Sequence, residues 1–187
     1  MEYSPNRLMC SVRMPCYVLV TEELARGWMS LAGAMGGHTV VAKLLLRFGT
    51  EEQKGRYLPR MATGEIRAAM ALTEPGGVSD LQAMRTTARR DAEGCVVNGV
   101  KTWITNARRA QLIALLCKTD PAASPSHRGM SILLVEHGRG LTVSRDLPKL
   151  GYKGVESCEL SFEEPRSGRC RARRDRRRGL RAHDGGP

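Results

Sequence analysis

The chain has 187 residues, is 41% apolar but only 4% aromatic, and carries a formal net charge of +11. That length holds one ordinary domain or two small ones. Its six cysteines form no C-x-x-C pair and its four histidines are scattered, which argues against a zinc site and against a secreted disulfide framework and leaves reduced thiols in a cytoplasmic protein as the expectation.

Met1 to Pro15 shows no period. Met14 to Val20 is apolar but too short and too interrupted to be expected to span a membrane or act as a signal peptide. From Tyr17 the pattern turns helical: Leu24, Trp28, Leu31 and Met35 recur at steps of four, three and four, predicting one buried face, with Gly33, Gly36 and Gly37 loosening the end. A second helix is predicted around Val40, Val41, Leu44, Leu45 and Phe48, stopped by Gly49. Thr50-Glu51-Glu52-Gln53 has the spacing of a capping box, in which Thr50 accepts from the Gln53 N–H and the Gln53 side chain reaches back. The helix it opens should be short, because Pro59 disfavours helical backbone at Leu58.

At Gly64 the character changes to short strands. Arg67–Leu72, Arg85–Arg90, Cys95–Gly99 and Val100–Thr105 come first, with a hairpin turn at Asp91-Ala92-Glu93-Gly94. Leu112–Lys118, Ser131–Glu136, Leu141–Arg145 and Ser157–Phe162 follow. Helices then strands make an α+β fold, N-terminal helices followed by an antiparallel β-barrel or sandwich. Domain bounds are expected at 1–66 for the helices, 67–166 for the β-domain and 167–187 for a tail. That tail holds eight Arg and two Asp, so it contributes +6 and the rest of the chain +5. With almost no apolar residues it should be disordered by itself.

Two stretches carry the chemistry. Ala71-Leu72-Thr73-Glu74-Pro75-Gly76-Gly77-Val78-Ser79-Asp80 runs from an apolar strand into a Pro-Gly-Gly loop. Pro75 fixes φ, while Gly76 and Gly77 permit positive φ and close approach to the backbone. Thr73, Ser79 and the loop N–H groups can converge on an anionic or polar ligand. Lys101-Thr102-Trp103-Ile104-Thr105-Asn106-Ala107 adds a flat aromatic beside hydroxyl and amide donors. Hydrogen bonds on one side and a stacking face on the other suit a large planar cofactor with a phosphate tail. A turn-forming Pro-Gly-Gly and a core tryptophan are the plainer readings of the same residues.

The pair A-L-T-E-P-G-x-x-S-D and K-x-W-I-T-N-A resembles the two flavin-binding signatures of the acyl-CoA dehydrogenase family. The flanks G-T-E-E-Q-K-x-x-Y-L-P-x-M-A-T-G-E and G-Y-K-G-V-E-S-C-E-L-S-F-E-E-P-R fit as well, and the likeness runs from about Cys16 to Arg166. It implies FAD as cofactor, an acyl-CoA substrate dehydrogenated between its α and β carbons, and an electron-transfer flavoprotein as acceptor. By motif, Leu72 and Thr73 would contact the flavin pyrimidine edge, with Met70 at a neighbouring contact. Ser79 would reach the pyrophosphate region and border the acyl pocket. Trp103 would cover the isoalloxazine and Thr105 would hydrogen-bond near N5. The family pattern has Gly where this chain has Val78, a strained choice if φ is positive there.

The resemblance covers the end of the family's N-terminal helical domain and its middle β-domain, and places the catalytic glutamate in a C-terminal helical domain that this truncated chain is expected to lack. Glu65, Glu74, Glu136, Glu156, Glu159, Glu163 and Glu164 match no base motif, so no catalytic residue is assigned. Weak or no FAD binding, no turnover and no family-type tetramer are expected. The last nine residues can be back-translated so that a shifted reading frame continues the family's sequence, which points to a frameshift beyond Arg166. The alternative function is a non-catalytic basic module whose Arg-rich tail binds nucleic acid or an acidic partner; charge alone favours it.

Overall fold

The computed structural model describes residues 14–77, 79–90, 94–167, 169–170 and 183–184. Two helices come first, α1 (Met14–Phe48) and α2 (Glu51–Ala62). Seven strands follow: β1 (Ala68–Ala71), β2 (Thr87–Arg90), β3 (Cys95–Thr105), β4 (Leu112–Lys118), β5 (Met130–Glu136), β6 (Leu141–Asp146) and β7 (Ser157–Ser167). They form one curled sheet in the order β1-β4-β2-β3-β7-β6, with β5 on the other side of β4. This is the expected α+β order of helices then strands. The sheet is mixed rather than wholly antiparallel: β4 runs parallel to β1 and, at Thr87↔Lys118, to β2. Chain order gives strand cadence but not which distant strands become neighbours, and here β4 returns beside two strands far upstream.

The sheet is buried on both faces where the helices cover it. Along β4, Ile113, Leu115 and Cys117 face the concave core with Ala69, Ala71, Val97, Ile104, Leu160 and Phe162. Leu112 and Ala114 alternate to the other face, against Val41, Leu45, Tyr57, Leu58 and Met61 of the helices. This two-sided burial explains the unbroken apolar run Leu112–Cys117. Burying each large apolar side chain contributes about 1.5–3 kcal/mol. His38 ties the layers together: its Nδ1 accepts from the Ala68 N–H at 3.2 Å, and its Nε2 lies 3.2 Å from the Met61 carbonyl. That pairing requires the neutral tautomer with the proton on Nε2, in keeping with burial lowering its pKa.

The capping box forms as its spacing predicts: the Gln53 N–H donates to Thr50 Oγ1 at 3.2 Å and the Thr50 N–H to Gln53 Oε1 at 2.9 Å. Pro59, however, does not cut the helix short. α2 continues through it to Ala62, because Leu58 and Met61 are held on the buried face and the loss at Pro59 is confined to one helical bond. The break in α1 falls at Trp28, which has extended backbone (φ −164°, ψ 108°), not at the glycines. The extended residue resets the helical phase, so the expected face does not form: Trp28 and Leu31 are exposed, while Ser30, Ala32, Val41, Ala42 and Leu45 are buried. By length and composition α1 could cross a membrane; its C-terminal part, through Val41, Ala42 and Leu45, packs on the sheet.

Close approach explains two glycines. A Cβ on Gly154 would lie 2.0 Å from the Trp28 ring, and one on Gly33 would lie 1.1 Å from the Tyr152 hydroxyl. The segment after the kink therefore lies directly on the β6–β7 loop. The Gly154 N–H bonds Ser30 Oγ at 3.1 Å, and Asn106 Nδ2 donates to the Ala34 carbonyl at 3.0 Å.

Cys16, Cys117 and Cys158 are free thiols, whereas Cys95, at the start of β3, is disulfide-bonded, contrary to the expectation of reduced thiols throughout. Most of the Arg-rich tail, with the expected disorder and frameshift, lies outside the described residues. Within it, Arg169–Cys170 pairs antiparallel with His183–Asp184.

Candidate functional site

The site grows from one junction between the end of β1 and the middle of β3. β1 stops at Ala71, and Leu72 and Thr73 leave the sheet toward a tight turn in which Gly77 N–H bonds the Glu74 carbonyl at 3.2 Å. Neither Gly76 nor Gly77 takes positive φ, so the conformational freedom expected of them is not used. The turn is closed instead by Glu74, which bridges to Gly77. Val78 lies outside the described residues, and with it the question of strain there.

β3 carries a bulge at this junction. Its register against β7 shifts by one residue between Lys101↔Leu160 and Ile104↔Cys158. The extra residue turns Trp103 to φ +60°, the left-handed region that bulky residues avoid. Such a residue costs on the order of 1–3 kcal/mol and persists only where its surroundings enforce it. The consequence is that Trp103 is 50% exposed between the buried Thr102 and Ile104. A bulge re-aims a side chain in this way.

Beside it, the Thr102 N–H donates to the Thr73 carbonyl at 2.9 Å, fastening the loop to the bulge. Lys101, fully buried, donates from Nζ to the Leu72 carbonyl and to Glu74 Oε1, each at 2.9 Å. Glu74 in turn accepts from the Arg85 N–H at 2.7 Å and the Thr86 N–H at 3.0 Å. One carboxylate thus joins both ends of the 74–86 loop. Burial alone would raise the Glu74 carboxyl, but the adjoining Thr86 side chain, the two backbone N–H groups and the Lys101 ammonium outweigh it and pull its pKa down to about 2. Burial likewise lowers the Lys101 pKa, against the pull of Glu74. Cys117 is a poor nucleophile, its thiol pushed up to about 12 by burial.

Of the residues picked out from sequence, Leu72, Thr73 and Trp103 lie at this junction, and Thr105 follows two residues on along β3, paired with Ser157. Thr73 and Thr105 are half-buried. Ser79 is exposed on the loop beyond the turn, and no described contact joins it to Trp103. Met70 is set apart: its side chain packs with the helix-side core. Among the described residues, the hydroxyls of Thr73, Ser79 and Thr105 and the Trp103 indole N–H make no hydrogen bond within the protein. An exposed aromatic face with the unpartnered Thr73 hydroxyl on the segment fastened beside it offers the stacking surface and donor that a flat, polar-edged ring system needs, so the residues present fit a flavin. The lysine–glutamate pair was not singled out by sequence reasoning; its one signal was that both residues stand inside the two quoted motifs. Among the described residues there is no cluster of metal-ligating side chains.

The chain matches the acyl-CoA dehydrogenase middle domain over residues 69–164 and the acyl-CoA dehydrogenase N-terminal domain over residues 10–65. It is 39% identical over 150 residues to the mitochondrial isovaleryl-CoA dehydrogenase of Pongo abelii, a match covering 79% of this chain and 36% of that protein. The crystal structure of an acyl-CoA dehydrogenase from Geobacillus kaustophilus superposes with a TM-score of 0.79 at 43% identity, covering 83% of this chain and 41% of that one. An acyl-CoA dehydrogenase from Bacillus anthracis in complex with FAD superposes with a TM-score of 0.72 at 36% identity, covering 80% and 25%. The chain therefore spans well under half the length of these relatives. With both family domains matched in order and the fold shared, this chain belongs to the acyl-CoA dehydrogenase family.

Proposed function

We propose that this chain is the cofactor-facing part of an FAD-dependent oxidoreductase that removes hydrogen from the α and β carbons of an acyl-CoA thioester. The observation that carries the reading is the junction itself: an aromatic ring forced outward by a bulge, fastened by a backbone bond to a segment whose Thr73 hydroxyl makes no hydrogen bond among the described residues. Leu72 and Thr73 would hold the flavin's pyrimidine edge, Trp103 one ring face, Thr105 the N5 side, and Ser79 the pyrophosphate. Met70 would support that edge from behind. FAD, when bound, supplies the two-electron acceptor; an electron-transfer flavoprotein would then reoxidise it.

The 187-residue polypeptide by itself should not turn over. Several of its acids are engaged elsewhere: Glu136 with Arg56 and Tyr57, Glu65 with Arg60, and Glu159 with Arg145. Glu74 is held ionised by Lys101.

Mixing the purified chain with FAD, desalting and recording the visible spectrum tests the proposal. The junction leads this reading to expect retained flavin absorbance with altered fine structure, in place of the weak or absent binding expected from sequence, unbleached by acyl-CoA and lost in Trp103→Ala. A folded protein that keeps no flavin at saturating FAD would refute it.

A further inference from the structure

We propose that Lys101 and Glu74 are positioning residues for the cofactor: their buried ion pair sets the placement of Leu72, Thr73 and Trp103 together, so flavin affinity depends on two side chains that do not touch the flavin. The inference rests on the flavin reading above. Its support is the bonding pattern. Lys101 Nζ reaches both the Leu72 carbonyl and Glu74 Oε1 at 2.9 Å. The Leu72 carbonyl is thereby turned inward, and the next carbonyl, Thr73, is turned inward by Thr102. With both carbonyls facing β3, the opposite side of this segment is left for a ligand. Glu74 clamps Arg85 and Thr86, so the same carboxylate limits where the loop carrying Ser79 can lie. Lys101 also stands two residues before Trp103, at the last regular pair before the bulge.

The pair is almost completely shielded from water, the Lys101 side chain 0% and the Glu74 side chain 8% exposed. A buried pair of this kind is poor at adding stability compared with apolar packing, but it fixes one geometry, because each partner is costly to leave alone. Lysine supplies three donors from one point, which allows one side chain to hold two acceptors on different segments. An apolar residue at this place could fill the space but could not turn the Leu72 carbonyl.

The test is an FAD titration of the wild-type chain, Lys101→Met, Glu74→Gln and Trp103→Ala, read by flavin absorbance, with circular dichroism as the measure of folding. Wild-type binding, with Lys101→Met folded and weaker for FAD by tenfold or more and its flavin fine structure shifted toward that of free FAD, supports the inference. Lys101→Met that folds and binds FAD with unchanged affinity and spectrum overturns it while leaving the flavin reading intact. Absence of binding by the wild type overturns the flavin reading and this inference with it. If Lys101→Met does not fold, Glu74→Gln carries the same readout: weaker binding with a shifted spectrum supports the role, and unchanged binding overturns it.

Discussion

At the scale of single residues, the chemistry turns on pairs whose members are far apart in sequence. Glu74 and Lys101 meet at 2.9 Å across 27 positions, and Thr73 meets Thr102 across a similar span. Both motifs were legible in the sequence. The partner of Glu74 was not, because local spacing says nothing about which strand will lie beside a loop. The outward set of Trp103 was equally hidden, since a bulge depends on the facing strand. The electrostatics give a pH prediction. The Glu74 carboxyl falls from 4.5 to about 2 on folding. A carboxyl depressed in this way stabilises the fold above its unfolded value, and that contribution is lost as pH falls toward its folded value. Urea midpoints should therefore decline between pH 4.5 and about 2. Glu74→Gln should flatten that decline and cost roughly 3–5 kcal/mol at neutral pH by leaving Lys101 buried without its counter-ion. An acid profile identical in the variant would show that another group governs it.

At the scale of elements, what is local was readable and what is imposed by packing was not. The capping box at Thr50 and Gln53 was written in four consecutive residues and forms as spaced. The strand positions followed from the cadence of short runs and turn signals, and β4 coincides with its predicted span. The phase of α1 was missed because the extended residue at Trp28 interrupts it, and the helix past that point is placed by the β6–β7 loop. Its fit is tight: a Cβ on Gly154 would lie 2.0 Å from the Trp28 ring and 2.7 Å from the Ser30 Cβ. Gly154→Ala should therefore push the α1 segment off the loop and cost roughly 1–3 kcal/mol, as overpacking does, visible as a lower thermal midpoint. An unchanged midpoint would mean that the helix rests on the loop only loosely.

At the scale of the whole molecule, two cores share one sheet. The concave core holds β3 and β7 rigid behind Trp103, and the helix-side core fixes β1, from which the Leu72–Thr73 segment departs. The junction is thus supported from both faces, as a site that must hold a rigid ring requires. The family and the order of helices then strands were legible because several motifs agree in register. The mixed pairing was not, because it arises only once the sheet has closed.

In the proposed complex Trp103 lies against the bound flavin. The chain has two tryptophans, Trp28 and Trp103, so a Trp28→Phe background leaves one reporter. FAD added to that protein should quench the remaining emission along the same saturation curve as the change in flavin absorbance. Saturable flavin uptake that leaves the Trp103 emission unchanged would contradict the account.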